Sequence, residues 1–595
     1  MNDYLKKYFA IIGDKKNYLF VLVGFFLISS VFDFISIGLI GPFVSVVTIP
    51  DKLLDYEAWR VFKSTIGFES YQQGMIILGG VIILVFYIKA YVAYLIYKKI
   101  VFFSYSHQRD LRSRLMSCYQ AMPYHFHIKR NTASLINKIN NHTTIYTSGT
   151  LVSSLRMMAD LIVLLVISIL LLITNYLVTI CAVILFGSIF LIYTRTVKKR
   201  IAETGKELAE SSKEIIKHVT HGMRGLKEIR VLGRENYFLN KVYKKSSEYA
   251  IAGSDYYSMQ IVPRYLIESA VITFVVLLAC LIIVFTNNAI YMLTTLSVFS
   301  VAAIRLMPSF VVIMSGVNNL RNSYHVLNEL YEDLQEVEML KKWGPAQEEN
   351  VTGGKIASPY RHDKFSTISF NKVHYKYPGS IEHAINDISL NIPYGQCVGL
   401  IGRSGSGKTT LINLLLGLLT PDSGGICIDD KSIQNDLRGW LNHVAYIPQD
   451  IFIVDDTLRR NIALGIEDQH IDDEVIYNAL KLSQLQDVVN QLPEGLDTML
   501  GENGIRLSGG QRQRVALARA FYHQRDVIIM DEATSALDNE TEKEVIDAIG
   551  DLKGKMTMIV IAHRLSTIER CDVIYRLEQG RIVNAGDYKQ VVVSG

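Results

Sequence analysis

Long apolar runs alternate with polar stretches over the first half of the chain. Six runs consist of 17 or more largely apolar residues, and they cover 18–47, 75–97, 150–173, 177–193, 266–285 and 290–312. About 20 apolar residues in a helix cross a bilayer core of ~30 Å, whereas an apolar run of ~10–14 is typical of a buried soluble helix. The pattern therefore predicts six membrane-spanning helices.

Basic residues concentrate in two of the segments between these runs. Lys and Arg recur throughout 98–138 and again throughout 195–245, and the loops on the opposite side contain few or none. Because cytoplasmic loops carry an excess of Lys and Arg, we expect the N-terminus and both basic segments to be cytoplasmic. An even number of spans then places the C-terminus in the cytoplasm as well.

The two basic segments are too long to be simple connections. They contain about 50 and about 70 residues, mostly good helix formers, and structureless loops of that length are uncommon in proteins. We expect the membrane helices to continue into the cytoplasm. Polar breaks at 123–132 and 221–235 predict the places where each pair of helices turns and touches another domain.

The pattern changes after the sixth run. A helical segment ends near residue 340, and 341–364 is polar with Gly and Pro, which is typical of a linker. From residue 365 short apolar strands alternate with helices, as in an α/β domain. The predicted organisation is a membrane domain at 1–340, a linker at 341–364 and an α/β domain at 365–595.

Composition agrees with this division. The chain has 595 residues, of which 20% are charged, against about 25% in an average soluble protein. Its net charge of +4 reflects membrane topology and does not suggest nucleic-acid binding. The six cysteines are scattered through spans, strands and cytoplasmic segments, so a disulfide framework is not predicted, and no CxxC or His/Cys spacing indicates a metal site.

The α/β domain contains a phosphate-binding pattern. CVGLIGRSGSGKTT predicts a strand, a glycine-rich loop and the start of a helix, with Gly402, Gly407, Lys408 and Thr409 at the defining positions. The loop's backbone N–H groups would bind phosphate, Lys408 would add a positive charge, and Thr409 would offer its hydroxyl to Mg²⁺.

Two further motifs accompany the loop. DVIIMDEATSALD is an apolar strand that ends in Asp531 and Glu532, where one carboxylate can hold Mg²⁺ and the next can orient or deprotonate water. LSGGQRQRVALARA begins a helix at Ser508, Gly509 and Gly510, which is a second potential anion site.

Together these motifs resemble the nucleotide-binding domain of ATP-binding cassette transporters, and the resemblance covers essentially all of 365–595. It implies that Tyr377 stacks on adenine and that Gln449 senses Mg²⁺ and the γ-phosphate. It also implies that the signature at 508–511 closes on ATP held by a second copy, that 535–538 communicates across the dimer, and that His563 is the switch histidine.

The resemblance supplies a full set of expected site residues. Expected in catalysis are Glu532, His563 and Gln449, and expected as Mg²⁺ ligands are Thr409, Gln449 and Asp531. Expected to bind ATP are Tyr377, Gly402, Ser404, Gly405, Gly407, Lys408, Thr409, Thr410, Ser508, Gly509, Gly510 and Gln511.

The resemblance also implies an assembly and a direction of transport. One chain carries one membrane domain and one nucleotide domain, and members of this family work with two of each, so we expect a homodimer. The order of the domains, six spans and long cytoplasmic extensions is similar to type I exporters. The expected location is the bacterial inner membrane.

Charged residues inside the spans indicate the cargo. Arg264 with Glu268 and Arg156 with Asp160 have the i,i+4 spacing of internal ion pairs, whereas Lys89 and Arg305 have no such neighbour. Charges in the membrane are costly and face a partner or a wet cavity. Two cations without neighbours predict an anionic cargo, such as a phosphate or pyrophosphate group.

Three local sequences in the predicted membrane domain sharpen the expectation. VPRYLIES, AAIRLMPS and GLKEIRVLGRE are similar to lipid-linked oligosaccharide flippases of the PglK type. The resemblance implies that Arg264, Arg305 and Lys89 meet the pyrophosphate of a polyprenyl carrier, although Lys89 stands where that family more often has arginine. It also implies an external amphipathic helix, which Leu53, Leu54, Trp59, Phe62 and Ile66 would form here.

Other functions remain open on the sequence. An exporter of lipid A, peptides or hydrophobic drugs has the same architecture, and an ATP-gated channel or regulator is a more distant alternative that Glu532 disfavours. Six membrane spans exclude a soluble ATPase of nucleic-acid repair. The main expectation is ATP-driven flipping of a polyprenyl-pyrophosphate-linked oligosaccharide.

Overall fold

The computed structural model describes residues 2–40, 43–44, 64–65, 67, 70–285, 289–343, 365–531, 550, 553–561 and 568–593. The chain divides into two compact units. One comprises Met1–Met122 and Arg130–Gly344, and the other comprises Pro123–Lys129 and Pro345–Gly595. The predicted external amphipathic helix and all but the first three residues of the predicted linker lie outside the described residues.

The first unit is helical throughout its described part. Its helices are α1 (Asn2–Ile12), α2 (Lys16–Gly38), α3 (Tyr71–Ala121), α5 (Thr132–Thr174, with π-helical turns at Lys138–His142 and Tyr146–Val152), α6 (Tyr176–Arg224), α7 (Leu226–Val231), α8 (Glu235–Phe285), α9 (Ala289–Asn322) and α10 (Tyr324–Trp343); α4 (Tyr124–Lys129) groups with the second unit.

Six helical stretches in the described part are long and apolar enough to cross a membrane. They are Asp3–Gly38, Gln72–Ala121, Thr132–Thr174, Tyr176–Thr196, Glu235–Cys280 and Thr295–Asn322. Each contains or overlaps one of the six apolar runs of the sequence. The prediction of six membrane-spanning helices is confirmed.

Three of these helices extend far beyond a bilayer. α3, α6 and α8 contain 51, 49 and 51 residues, which corresponds to about 75 Å each at ~1.5 Å per residue, against a hydrocarbon core of ~30 Å. The expected turns occur where the sequence is broken, because the short helices α4 and α7 lie between the long ones. The continuation of the membrane helices past the membrane is therefore confirmed.

A buried carboxylate ties the polar ends of these helices together. Asp333 of α10 is 4% exposed. It accepts a hydrogen bond of 2.6 Å from the Tyr119 hydroxyl and forms ion pairs with Lys138 at 2.8 Å and Arg130 at 3.3 Å. The segments that flank α4 on both sides are thereby linked to the helix that leads towards the linker.

The second unit contains two sheets. The strands are β1 (Thr367–Tyr375), β2 (Ile385–Pro393), β3 (Cys397–Ile401), β4 (Ser423–Ile428), β5 (Lys431–Ser432), β6 (Val444–Ile447), β7 (Val527–Asp531), β8 (Thr557–Ile561), β9 (Val573–Glu578) and β10 (Arg581–Gly586). An antiparallel sheet has the order β2-β1-β4-β5, and a second sheet has the order β10-β9-β3-β8-β7-β6. Apart from β10, neighbouring strands of the second sheet are parallel.

Helices accompany these strands as the alternation in sequence predicts. They are α11 (Lys408–Leu415), α12 (Leu437–His443), α13 (Leu458–Ile462), α14 (Asp473–Leu482), α15 (Gln486–Gln491) and α16 (Gly509–Tyr522). The membrane all-α domain fused to an α/β P-loop domain, expected from the sequence, is the observed fold class.

The larger sheet is buried on both faces. Along β7, Ile528 and Met530 join one apolar core, and the alternate residues Val527 and Ile529 join another. Parallel sheets need cover on both faces, and their strands are accordingly apolar at every position. This explains why the strand before Asp531 is wholly apolar in sequence.

We predict that Asp333→Ala destabilises the membrane unit. The change leaves Lys138 without its buried partner, and breaking a buried ion pair costs about 3–5 kcal/mol. The midpoint of thermal unfolding, measured on detergent-solubilised protein, should fall markedly. Glu336→Ala is the matched control, because Glu336 on the same helix binds Arg130 at 3.0 Å but is 42% exposed; equal losses for the two variants would contradict the prediction.

Candidate functional site

The phosphate loop joins β3 to α11 in a conformation that requires glycine. Gly402 and Gly407 have φ angles of 150° and 104°. A Cβ on Gly402 would clash with the carbonyl oxygen of Leu577, and one on Gly407 would lie 2.6 Å from the carbonyl oxygen of Ala384. The two glycines therefore let the loop pass close to neighbouring backbone while it curls around the start of α11.

Polar side chains converge inside this loop. The ammonium of Lys408, which is 6% exposed, donates to the carbonyl oxygens of Gly402 at 2.8 Å and Arg403 at 3.1 Å. Ser406 is 5% exposed, and its hydroxyl oxygen has no hydrogen-bond partner among the described residues. Buried hydroxyls normally have partners, so the loop is built for an additional group that accepts hydrogen bonds, as phosphate does.

The sheet order brings the acidic motif to the same edge as the loop. Leu400 of β3 and Asp531 of β7 both pair with Ile561 of β8, which lies between them. Adjacent strands are ~4.8 Å apart, so the ends of β3 and β7 are about 10 Å from each other. Parallel strands end at one edge, and the phosphate loop and Asp531 are thus brought together.

The predicted Mg²⁺ ligands have different surroundings. Thr409 and Gln449 are exposed, whereas Asp531 is 8% exposed and accepts a hydrogen bond of 3.5 Å from the Tyr446 hydroxyl. Burial and the charge of Asp531 raise the pKa of Tyr446 to about 12, so Tyr446 remains a neutral donor at physiological pH. A buried carboxylate beside exposed hydroxyl and amide oxygens is an oxygen-rich set that suits Mg²⁺.

Two predicted catalytic residues lie outside the described residues. They are Glu532, which directly follows β7, and His563, two residues after the end of β8. The segment 535–538 also lies outside them. Their roles stay predictions from the sequence.

Tyr377, the expected adenine partner, stands beside the start of α11. Its hydroxyl is 3.2 Å from the hydroxyl of Thr410, and its ring meets the ring of Tyr375 edge-on at 5.1 Å. The other loop residues of the predicted set are distributed around the same turn: Ser404, Gly405 and Thr409 are exposed, and Thr410 is buried.

The signature segment forms a reciprocal cap at the start of α16. The Ser508 side chain accepts from the backbone N–H of Gln511 at 3.2 Å, and the Gln511 side chain accepts from the backbone N–H of Ser508 at 2.8 Å. This is a capping box, which fixes the first turn of a helix. Gly509 and Gly510 form that turn, so the expected anion site is a rigid helix N-terminus.

An arginine network behind the signature was not anticipated. Arg519 of α16 donates to the backbone oxygens of Asn461 and Phe452, both at 2.6 Å, and to the Asn461 side chain at 2.9 Å. Burial lowers the pKa of Arg519 to about 10, which still leaves it charged at neutral pH. The signature helix is thus tied to the segment that follows Gln449. Only the arginine-rich composition of this helix hints at the network in the sequence.

The membrane unit corrects one expectation about its cations. Lys89 and Arg305 lack partners at i,i+4, but both bind Asp33 of α2. The Lys89 ammonium is 2.5 Å from Oδ1 of Asp33, and Arg305 donates to Oδ1 at 2.7 Å and to Oδ2 at 2.9 Å. The prediction that these cations are unpaired was wrong, because helical spacing reports only on neighbours within one helix.

The alternative of ion pairs at i,i+4 does not hold either. Within the part of the chain that the structure describes, no ion pair joins Arg156 to Asp160. Arg156 lies over the ring of Tyr97 at 5.3 Å, and Asp160 accepts a hydrogen bond of 2.7 Å from Ser309.

Arg264 stands apart from the other two predicted cargo residues. It is exposed on α8, and no ion pair joins it to Glu268 in the described ranges. The structure brings Lys89 and Arg305 together and leaves Arg264 outside their cluster.

Two family models match the chain. Residues 19–307 match the model described as ABC transporter transmembrane region, and residues 385–535 match the model described as ABC transporter. The two matched regions together cover about three quarters of the chain.

Curated relatives and a solved structure agree with these matches. The chain is 29% identical over 489 residues to an ATP-dependent lipid A-core flippase of Pectobacterium atrosepticum, covering 82% of this chain and 81% of the relative. The protein of that name from Escherichia coli strain K12 is 29% identical over 486 residues, with coverages of 81% and 80%. The structure of a bacterial Atm1-family ABC exporter with ATP bound has the same fold, with a TM-score of 0.71, 20% identity and coverages of 95% and 96%.

We predict opposite effects of Ser406→Ala on the empty and the nucleotide-bound protein. Removing a buried hydroxyl without a partner should stabilise the empty protein by about 1 kcal/mol. ATP affinity should fall about tenfold or more, since a hydrogen bond to a charged group is lost. Thermal unfolding with and without ATP, with a titration of a fluorescent ATP analogue, measures both effects. Ser389→Ala on β2 is the control, and an unchanged ATP affinity in Ser406→Ala would contradict the prediction.

A second prediction concerns His523, which follows α16. Burial, with smaller contributions from the charges of Arg525 and Arg519, lowers the pKa of His523 to about 4. The unfolded chain, with a histidine pKa near ~6.5, then binds the proton more tightly than the folded protein. Stability should be complete above about pH 6.5 and should decline as the pH falls towards 4, by about 2 kcal/mol at pH 5.

His523→Gln should remove this part of the acid sensitivity. The measurement is the difference in unfolding midpoint between pH 7.5 and pH 5, which should shrink relative to the unmodified protein. His470→Gln is the control, because His470 is exposed. The same pH dependence in all three proteins would refute the assignment.

Proposed function

The chain belongs to the ATP-binding cassette (ABC) transporters, and we propose that it uses ATP to flip an anionic, phosphorylated lipid across the bacterial inner membrane. The family and the exporter fold make ATP-driven export the general activity. The nature of the cargo, its charge and the membrane are the proposed parts.

The observation that carries the anionic cargo is an excess of cations in the membrane unit. Lys89 and Arg305 share one carboxylate, Asp33, whose side chain is fully buried. Their own side chains stay 13% and 28% exposed. Positive charge that is only partly neutralised, and partly accessible, favours a negatively charged ligand.

The relatives favour one class of phosphorylated lipid. Proteins named lipid A-core flippases match four fifths of the chain, so we place a lipid A-like glycolipid ahead of the polyprenyl-pyrophosphate oligosaccharide expected from local sequence. The second candidate retains support from the segments around Arg264 and Arg305. Both cargoes present phosphate on a hydrocarbon-anchored glycan, which is the chemistry that the cations recognise.

We infer a division of labour among the residues of the nucleotide domain. The phosphate loop holds the phosphates through its backbone, Ser406 and Lys408, and Tyr377 stacks on the base. Thr409, Asp531 and Gln449 would hold Mg²⁺, which neutralises charge that develops on the phosphates. Glu532 would orient or deprotonate the attacking water, and His563 would be the switch histidine.

A homodimer completes the site. Each chain has one phosphate loop and one signature, and the rigid helix N-terminus at Ser508 would close on ATP bound by the other copy. The expected arrangement is two equivalent ATP sites beneath twelve membrane helices, with N- and C-termini in the cytoplasm.

The test is ATP turnover and lipid flipping in proteoliposomes. The probes are a bisphosphorylated glucosamine glycolipid, the same glycolipid without phosphates, and a polyprenyl-pyrophosphate glycan. We expect the phosphorylated glycolipid to stimulate ATP hydrolysis several-fold and to become accessible in the opposite leaflet. Equal stimulation and flipping of the neutral glycolipid would contradict an anionic cargo, and a response to the polyprenyl compound alone would select the second candidate.

A variant of the expected catalytic residue separates ATP binding from ATP hydrolysis and lipid flipping. Glu532→Gln should bind ATP but hydrolyse it at least 100-fold more slowly, the lower range for loss of a general base, and flipping should stop. Glu502→Gln, at the exposed turn before the signature, is the matched control. Brisk hydrolysis by Glu532→Gln would remove Glu532 from its assigned role.

A further inference from the structure

Three membrane helices meet at one buried carboxylate. Asp33 of α2 is 0% exposed. It holds Lys89 of α3 through one oxygen and Arg305 of α9 through both oxygens. The paired N–H···O bonds from one guanidinium to the two oxygens are the geometry with which arginine also binds phosphate.

The cluster around Asp33 carries more positive than negative charge. Arg305 and Arg156 lie within electrostatic range of a second carboxylate, Asp160. Three cations and two carboxylates leave a net charge of +1 in a region that the bilayer surrounds. An uncompensated charge in a low-dielectric setting is costly, so the cluster is arranged to receive a further anion.

Of the three residues in contact at Asp33, only the two cations are accessible. Asp33 is completely enclosed, whereas the side chains of Lys89 and Arg305 retain 13% and 28% exposure. An incoming anion at this contact therefore meets the N–H donors of Lys89 and Arg305 and not the enclosed Asp33. An ammonium has three donors and a guanidinium has five, so neither cation is saturated by Asp33.

We propose that Asp33 is an internal counter-ion that competes with the phosphate of the cargo for Lys89 and Arg305. The proposal rests on the proposed function, because it takes the cargo to be a phosphorylated lipid. Asp33 keeps the empty site nearly neutral, and it is thereby a specificity-determining residue: only a headgroup with more negative charge than one carboxylate draws the two cations away.

Exchange of the partners has a mechanical consequence. The contacts of Asp33 connect α2 with α3 and α9 in the empty state. A phosphate that takes the donors of Lys89 and Arg305 weakens both connections at once. Cargo binding and release of α2 from its neighbours are then a single event.

The test measures the lipid concentration that gives half-maximal stimulation of ATP hydrolysis in proteoliposomes. Asp33→Asn removes the competing charge with little change of shape, and we expect the half-maximal concentration of the bisphosphorylated glycolipid to fall about tenfold, which corresponds to about 1.4 kcal/mol. The response to the glycolipid without phosphates should stay the same. Asp14→Asn, at the exposed turn before α2, is the matched control and should resemble the unmodified protein.

A compensating pair keeps the test decisive if Asp33→Asn folds poorly. Lys89→Gln leaves one cation for one carboxylate, so it should fold well and lose most of the response to the phosphorylated glycolipid. Adding Asp33→Asn to Lys89→Gln restores the excess of one positive charge and should recover the response. A residue with only a structural role would make the double variant worse than either single change.

The outcomes distinguish a wrong cargo from a wrong role of Asp33. If the unmodified protein does not distinguish phosphorylated from neutral glycolipid, the proposed function fails. If it does, but Asp33→Asn weakens the phosphate response and the double variant does not recover it, the proposed function stands and the counter-ion role of Asp33 is overturned.

Discussion

A backbone that crosses a hydrocarbon layer finds no water there to bond its N–H and C=O groups, so each crossing must satisfy its own hydrogen bonds. This constraint makes every described span of the chain a helix, and it also determines what happens beyond the membrane. Because α3, α6 and α8 are already rigid when they leave the bilayer, they continue for several more turns. The same constraint makes the rare ionised groups inside the membrane unit costly unless they have partners, and this explains why Asp33, Lys89 and Arg305 lie together.

The nucleotide domain is constrained differently. Its larger, mostly parallel sheet is buried on both faces, so the residues that could bind a ligand lie at the edge where the strands end. β3 and β7 end at the same level beside Ile561, so the glycine-rich loop and the carboxylate of Asp531 become neighbours although more than 120 residues separate them in the chain. The glycines at 402 and 407 are required where the loop passes other backbone, which is a steric reason for the motif that is independent of the nucleotide.

The sequence predicted the helical spans and the glycine-rich loop, but it did not predict which side chains contact each other across different helices and loops. Apolar length predicted the six spans, polar breaks predicted α4 and α7, and the glycine pattern predicted the loop around Lys408. The shared partner of Lys89 and Arg305 could not be predicted. Asp33 is 56 residues from Lys89 and 272 from Arg305, and periodicity within a helix carries no information about a contact between helices. The same holds for Asp333, whose partners come from α3, from α5 and from Arg130 just before α5, and for Arg519, which binds the backbone of Asn461 and Phe452. The Ser406 hydroxyl, which has no hydrogen-bond partner in the described part of the chain, could not be identified from the sequence either, since its burial depends on how the whole loop folds.

The cap at Ser508 determines which part of its hydroxyl is used inside the helix and which part is left over. A serine hydroxyl has two acceptor lone pairs and one hydrogen to donate, and the cap uses it as an acceptor for the N–H of Gln511. Its single hydrogen therefore remains available for an oxygen anion that approaches the N-terminus of α16. Threonine would preserve both functions, whereas aspartate would cap the helix equally well and repel the anion. The side chain that holds this helix in shape is in that way also the one that makes its end selective for negative charge.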